Sequence, residues 1–214
     1  LDAARALPAA YLRAVFEGEE ARGWPVRPLG DVLLQRREVI HPRNNPRGET
    51  TFVGLEHVES GTGNRIGSLP VRMEELTGRK PKFYQNDIVY GYLRPYLNKV
   101  WVAEFEGLCS VDQYVYSVNN ELASVGFVAW FMRSPTFLNR APIDTTPGQL
   151  PRIRIEEVAA VDLNLPPLDV QQQIMERLLR QMETVKQLTG FLKPSITELE
   201  AIPAAYSQQA FSGA

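Results

Sequence analysis

Basic side chains are scattered through the central loops of this 214-residue chain, with aromatic and amide side chains between them. Arginine and lysine neutralise phosphates, arginine matches the major-groove edge of guanine, and asparagine or glutamine matches that of adenine. Taken singly, each residue fits an ordinary solvated surface better, so only the whole set indicates contact with DNA. The set comprises Arg43, Arg47, Arg65, Tyr92, Arg94, Tyr96, Asn98, Lys99, Gln149 and Arg152.

Side chains that could perform catalysis or bind a metal are sparse. His41 and His57 have no partner at metal-ligand spacing, and Cys109 lacks a nearby histidine, so we expect it to be a small core residue. Asp87 and Asp112 could form the paired carboxylates of a nuclease, but the lysine that usually accompanies them is not evident. Asp87 suits a turn before a strand equally well. We therefore predict no catalytic residue, no metal site and no cofactor on this chain.

The glycine-rich segment 61–67 could form a phosphate-binding loop. Such a loop should follow a strand and open a helix, whereas Pro70 makes the next residues a poor helix start. We predict a surface loop. The run Asn164-Leu165-Pro166-Pro167 is similar to the tetrapeptide of amino-methyltransferases, but it carries an extra leucine and lacks the aromatic residue. A proline-stiffened hinge is the better interpretation.

Composition excludes few classes of protein. Hydrophobic residues make up 44% and charged residues 22%, as in ordinary globular proteins. The net charge of −2 favours no partner, so a nucleic-acid binder would have to gather its basic residues on one face. A single cysteine fits a reducing compartment, and we expect a cytoplasmic protein. The sequence starts without methionine, which suggests a trimmed chain or a fragment.

The pattern of apolar residues divides the chain into three parts. Residues 1–20 read as an amphipathic helix, and residues 21–165 as an α/β (α+β) globular domain. The domain includes strand-like runs at 86–103 and 111–118 and a buried helix at 123–133. Residues 166–214 form a long helical arm with the pattern of a coiled coil.

Apolar residues recur every seven positions along the arm, which keeps one seam facing a partner helix. Pro194 and Pro203 lie within the arm and each removes a backbone donor, so we expect two or three helical pieces in line. The predicted dimer or partner interface is the seam formed by Ile174, Leu178, Val185, Leu188, Leu192, Leu199, Ile202 and Tyr206.

The start of the chain is repeated at its end. Residues 1–18 and 196–213 share the run Pro-Ala-Ala-Tyr, followed in the same register by phenylalanine and glycine. Two alanine-rich helices share some of this by chance, but the fixed register favours a true repeat. A unit that ends as it begins indicates one period of a tandem array or one half of a duplicated protein.

Segment 87–100, DIVYGYLRPYLNKV, resembles a stretch of the DNA-specificity (S) subunits of type I restriction–modification systems. The segments 24–31, 107–110, 148–153 and 165–174 are similar to further parts of that family and come in its order, and 7–18 and 202–213 are both similar to its helix ending. One departure is Val170, which stands where the family usually has an acidic residue.

This resemblance implies a target recognition domain at 21–165 and a conserved helical spacer at 166–214. The family reads split DNA sites with two such domains, and helix length then sets the distance between the half-sites. Its helices dock modification subunits, which hold S-adenosylmethionine and methylate adenine, and restriction subunits join that core. The implied partners are double-stranded DNA and these two subunits, and the chain itself is implied to be non-catalytic.

The chain departs from the family because it holds one recognition domain. It is either half of a full subunit or a half-size subunit that dimerises through the seam on a palindromic split site. Two other classes also remain open. The chain could be an enzyme with unrecognised motifs, either a methyltransferase or a nuclease, or it could be a coiled-coil scaffold that binds protein.

Overall fold

The computed structural model of the chain describes residues 2–146 and 148–211, and the side chains of these residues except 2, 5 and 192–211. The helices are α1 (Asp2–Glu17), α2 (Glu19–Arg22), α3 (Val125–Arg133), α4 (Pro135–Arg140), α5 (Ile155–Ala159) and α6 (Leu168–Phe211). The strands are β1 (Val26–Pro28), β2 (Leu33–Gln35), β3 (Val39–Ile40), β4 (Glu49–Val53), β5 (Leu69–Arg72), β6 (Lys80–Phe83), β7 (Ile88–Gly91), β8 (Val100–Val102), β9 (Gly107–Cys109), β10 (Gln113–Val118) and β11 (Asp162–Asn164).

Within the described residues the strands form three sheets. A four-stranded antiparallel sheet has the order β2-β10-β7-β8, and a five-stranded sheet has the order β3-β6-β9-β4-β5. In the second sheet β4 and β9 run parallel, while the other pairs are antiparallel. Strands β1 and β11 form a small ribbon that brings the two ends of the globular part together. The mixed α+β fold with a long C-terminal helix agrees with the predicted fold class.

The central strand of the four-stranded sheet, β7, is fully buried, and its successive side chains point to opposite faces of the sheet. On β7, Ile88 and Tyr90 join the large core beneath the helices, whereas Val89 faces a smaller core. That smaller core also contains Val53 of β4 and Trp101 of β8, so it joins the two larger sheets. A strand buried in this way reads as a continuous apolar run, which explains the sequences of β7 and β8.

Helices α3 and α4 pack on one face of the four-stranded sheet, and α1 and α6 pack against these helices and against each other. Phe16 of α1 makes edge-to-face contacts with Phe127 and Phe131 of α3 at centroid distances of 5.4 and 5.3 Å. Helix α3 also approaches α6 closely at Gly126, where an added Cβ would lie 2.8 Å from Met175 Cε. The four helices therefore pack together as one unit on the sheet, and none of them is attached to it independently.

Gln171 fixes the start of α6 on the globular part. Its side chain is fully buried, its Oε1 accepts the Ser124 N–H at 2.8 Å, and its Nε2 donates to Leu122 O and Pro166 O at 3.0 and 2.8 Å. Because the Gln171 side chain is fully buried, losing one of these bonds would leave an unpaired polar group inside the protein.

The first half of the predicted interface seam faces the chain itself. Ile174 and Leu178 belong to the same core as Leu12 and Phe16 of α1, and Val185 is also buried within this single chain. The assignment of Ile174 and Leu178 to a partner interface was wrong, because α1 already fills the position that a partner helix would take beside them. Leu188, by contrast, is 45% exposed.

The side chains of Leu192, Leu199, Ile202 and Tyr206 lie outside the described ones. The backbone there is helical, and α6 continues through Pro194 and Pro203 as one helix of 44 residues. The expectation of two or three pieces was therefore wrong, since a proline removes a single backbone bond and the remaining bonds continue the helix. The coiled coil stays a prediction.

Truncation of Leu178 should separate the two roles considered for the seam. Leu178→Ala removes a fully buried side chain and should lower the free energy of unfolding of the whole domain by about 2–5 kcal/mol. Its neighbour Leu179 is 56% exposed, so Leu179→Ala is a matched control that should change stability by less than about 0.5 kcal/mol. Urea denaturation measures both, and equal values would show that Leu178 does not belong to the core.

Candidate nucleic-acid interface

Two of the loops predicted to contact DNA meet at one end of the four-stranded sheet, along the edge where β7 ends and β10 begins. The Arg94 N–H donates to Pro151 O at 2.7 Å, and the Ile153 N–H donates to Tyr92 O at 3.2 Å. A β-bridge between Leu93 and Arg152 lies between these bonds. Arg152 is thus brought beside Tyr92 and Arg94, from which it is distant in sequence.

The turn after β7 holds Arg94 in an uncommon conformation. Arg94 and Asn98 both have φ near 49°, in the left-handed region, and they flank a 3₁₀ turn at Pro95–Leu97. A non-glycine residue there costs about 1 kcal/mol or more, and such strain is concentrated at functional sites. The turn leaves the side chains of Arg94 and Tyr96 exposed to solvent.

Two stacked tyrosines lie beside this edge. The rings of Tyr92 and Tyr114 are 4.4 Å apart and inclined by 20°, and the Tyr114 hydroxyl donates to Ile153 O at 3.3 Å. Burial raises the pKa of Tyr92, and Asp112 raises it further, while Arg152 and Arg79 oppose the shift. Burial, with a smaller effect of Tyr92, raises the pKa of Tyr114 to about 12. Both phenols are therefore neutral hydrogen-bonding groups at physiological pH.

A second basic loop follows β3 and displays Arg43 and Arg47. His41 Nδ1 accepts the Arg43 N–H at 3.2 Å, and Asn45 adopts a left-handed conformation. The loop ends at Gly48, whose N–H donates to a carboxylate oxygen of Glu74 at 3.0 Å. Both arginine side chains are exposed, and they lie on the five-stranded sheet rather than with Arg94.

The other predicted contact residues have different surroundings. Gln149 is exposed in the turn before Arg152. Arg65 donates two hydrogen bonds to Glu104 at 3.1 and 3.0 Å, so its charge is already paired. Asn98 is 6% exposed, and its Nδ2 donates to Arg133 O at 2.7 Å.

Lys99 also serves the fold. Its Nζ donates to Leu55 O at 2.6 Å and to Val58 O at 2.8 Å. Asn98 and Lys99 thus hold the turn after β7 from inside, a task that their polar character did not reveal in the sequence.

The sequence pattern missed several residues near this edge. Alternation along β10 could have identified Tyr114 as a half-buried partner of Tyr92, because side chains two apart share a face. No local signal identifies Arg37 or Arg79, because their position depends on how the two larger sheets meet.

The groups considered for catalysis are used structurally or stand apart. Asp87 is buried and accepts hydrogen bonds from Arg36 Nε at 2.6 Å and from the Tyr84 N–H at 2.8 Å. His57 Nδ1 accepts the Gly54 N–H at 3.0 Å. Cys109 is fully buried, as predicted, and burial raises its pKa to about 12. Among the described residues, no group of three or more His, Cys, Asp or Glu side chains could hold a metal ion.

The glycine-rich loop closes on itself. Glu59 accepts hydrogen bonds from Thr62 Oγ1 and Asn64 Nδ2 at 2.6 and 3.1 Å. The strand β5 follows the loop, so it lacks the helix that a phosphate cradle would need. No helix in the described part of the chain is long and apolar enough to cross a membrane.

Comparison with known proteins gives a consistent result. No protein-family model matches the sequence. The chain is 31% identical over 129 residues to the type I restriction enzyme EcoDI specificity subunit of Escherichia coli, an alignment that covers 60% of this chain and 28% of that subunit. This chain is related to type I restriction specificity subunits. The resemblance inferred from the sequence is confirmed.

Solved structures share the fold. A chain of a type I R-M system, studied for its complex assembly and conformational transition, superposes with a TM-score of 0.78 at 21% identity over 88% of this chain. The HsdS subunit from Thermoanaerobacter tengcongensis gives 0.71 at 22% identity over 84%, and the S subunit from M. genitalium gives 0.54 at 11% over 95%. The match spans 49%, 47% and 53% of those chains respectively. The chain thus spans about half of each structural neighbour.

Lys99 provides a test of the distinction between structural and DNA-contacting residues. Lys99→Met removes two hydrogen bonds from a charged donor and should lower the free energy of unfolding by about 1–3 kcal/mol. Lys186 is exposed on α6, so Lys186→Met is the matched control and should change it by less than about 0.5 kcal/mol. Chemical denaturation measures both free energies of unfolding. If Lys99→Met is as stable as the wild type, Lys99 does not stabilise the fold and would again be a candidate for contact with DNA.

The buried tyrosines should make the fold sensitive to alkali. Burial raises the pKa of Tyr116 well above its ordinary value of about 10, so the folded state favours the neutral phenol. That stabilisation is complete below pH ~10 and is lost as the pH rises towards the folded-state pKa.

The Tyr116 hydroxyl is buried without a hydrogen-bond partner among the described residues. Tyr116→Phe should therefore change stability little at pH ~8 and reduce the loss of stability at pH ~11 by about 1 kcal/mol. Denaturation curves at the two pH values measure this, and the same alkaline loss in both proteins would contradict it.

Proposed function

We propose that this chain is a DNA-recognition unit of a type I restriction–modification complex. The observation that carries the proposal is the meeting of the loops at 92–98 and 148–152 in a chain related to specificity subunits. In this proposal residues 21–165 contact a DNA half-site, and residues 166–214 act as the helical spacer. Methylation and cleavage belong to partner modification and restriction subunits, and S-adenosylmethionine binds to the modification subunit.

The division of labour at the interface follows from the chemistry of the groups at this edge, where Arg94 and Gln149 are exposed and Arg152 is half-buried. Arg94 and Arg152 can contact guanine edges or phosphates, and Gln149 can pair with adenine. The stacked Tyr92 and Tyr114 supply a rigid aromatic wall beside them. Arg43 and Arg47 supply a second positive point of contact on the five-stranded sheet.

Two forms of the complete specificity subunit are compatible with this chain. It spans about half of its structural neighbours, as would be expected either of one half of a two-domain subunit or of a half-size subunit that pairs with a second copy. Pairing would use the part of the seam beyond Val185, because α1 covers the earlier part. The mass of the chain in solution, with and without the modification subunit, distinguishes the two.

Replacing the two edge arginines tests the proposal. In complex with the modification subunit, Arg94→Ala with Arg152→Ala should weaken binding to the selected DNA about tenfold or more, because two charge-assisted contacts are lost. Arg27 and Arg177 are about half exposed and ion-paired with Asp31 and Glu20, so their double Ala variant is the matched control.

The readout is fluorescence anisotropy on duplex DNA. Unchanged affinity in the Arg94/Arg152 variant would remove this edge from the interface. If the wild-type complex prefers no sequence in a random pool of DNA, the proposed function itself is wrong. S-adenosylmethionine or divalent-metal binding by the chain alone would favour an enzyme instead.

A further inference from the structure

A cleft of about 230 Å³ lies where the chain passes between the four-stranded and five-stranded sheets. Arg36 and Arg37, in the link from β2 to β3, line the cleft together with Arg79, which lies just before β6. Gln113 and Tyr114 of β10 also line it. The cleft therefore lies at the junction between the two larger sheets.

Two positive charges at the cleft are free of carboxylate partners. Arg36 is balanced by Asp87, whose Oδ2 accepts its Nε at 2.6 Å. Arg37 and Arg79 are exposed, and no ion pair within the described part of the chain involves either of them. A partly enclosed site with uncompensated guanidinium groups attracts an anion more strongly than an open surface does.

A buried amide adds an unused hydrogen-bond donor. Gln113 is 3% exposed, and its Oε1 accepts the Ser110 N–H at 2.9 Å. Its Nε2 is buried and has no partner among the described residues. Such an unpaired group costs about 1–3 kcal/mol, and a small movement of the side chain that opens Nε2 to an incoming oxygen atom would recover this loss.

The cleft is continuous with the interface already described. Tyr114 lines the cleft and stacks on Tyr92. Arg79 and Arg152 both lie near enough to Tyr92 to lower its pKa. A DNA strand whose bases meet the edge at Arg152 would therefore have its backbone within reach of the cleft.

We propose that this cleft binds a phosphate of the DNA backbone, held by Arg37, Arg79 and the free amide of Gln113. The inference rests on the proposed function and adds a site that positions the DNA without reading its sequence. Such a contact contributes equally to every sequence and makes binding more dependent on salt. It would fix the register in which Arg94 and Arg152 meet the bases.

The test removes both free charges. Arg37→Gln with Arg79→Gln, in complex with the modification subunit, should weaken binding to selected and random-sequence duplexes by the same factor, about tenfold. The slope of log affinity against log salt should become shallower by about one to two. Arg27→Gln with Arg177→Gln removes the same formal charge from ion-paired positions and should leave affinity and slope near those of wild type.

A second variant tests the amide. Gln113→Glu keeps the acceptor for the Ser110 N–H but replaces the donor with a carboxylate oxygen. It should weaken binding to both duplexes, with circular dichroism confirming the fold. Unchanged affinity and slope in the Arg37/Arg79 variant would overturn the inference, as would a loss confined to the selected sequence, which indicates base reading.

Two further outcomes identify the source of any failure. Saturable binding of inorganic phosphate that is abolished in the Arg37/Arg79 variant, while that variant binds DNA as tightly as the wild type does, would assign the cleft to a free anion and overturn the assignment to DNA. Absence of DNA binding by the wild-type complex would defeat the proposed function and the inference together. Sequence preference that survives unchanged in the Arg37/Arg79 variant, with unchanged affinity and slope, would defeat the inference alone.

Discussion

The attachment of α6 through Gln171 is the constraint on which the rest of the molecule depends. One buried amide bonds the turn before α3, the loop at Leu122 and the carbonyl of Pro166. Apolar contacts alone would allow α6 to slide or rotate, because they have little directional preference. Three directed bonds fix its rotation and its position along the sheet. The packing of α1 against α6 then follows, since Leu178 can reach the core only in that orientation.

The globular part consists of two layers with different purposes. The central strand of the four-stranded sheet, β7, is buried on both faces, and the sheet supports the helices, so it serves as the rigid body of the domain. The five-stranded sheet packs on the face opposite the helices through a small core around Trp101 and Val89. Basic residues collect at the junction and at the edge of β7, where loops can vary without disturbing either core. A net charge of −2 is thus compatible with a local positive surface.

Much of the fold was predictable because it depends on local patterns. The apolar runs of β7 and β8, the buried helix α3 and the core position of Cys109 follow from burial and periodicity. The site was predictable only in part. Arg94 and Arg152 stand out as loop arginines, but their meeting depends on the pairing of segments distant in sequence. The inward direction of Asn98 and Lys99 depends on carbonyls that only the folded loops present. The seam at Ile174 was misassigned because periodicity identifies an apolar face and not what covers it.

Because α6 is long, a small change in its tilt at the N-terminal end displaces its C-terminal end by a large distance. Its 44 residues span about 66 Å at 1.5 Å per residue, so a tilt of about 3° moves the far end by roughly the 3.4 Å rise of one base pair. If the arm measures the distance between half-sites, its angular tolerance is therefore narrow. The close approach of Gly126 to Met175 lies near the base of this lever. The Met175 methyl is the flexible end of its side chain and can move aside there, so only a change that tilts α6 itself would alter the distance between half-sites, and it would do so without touching DNA.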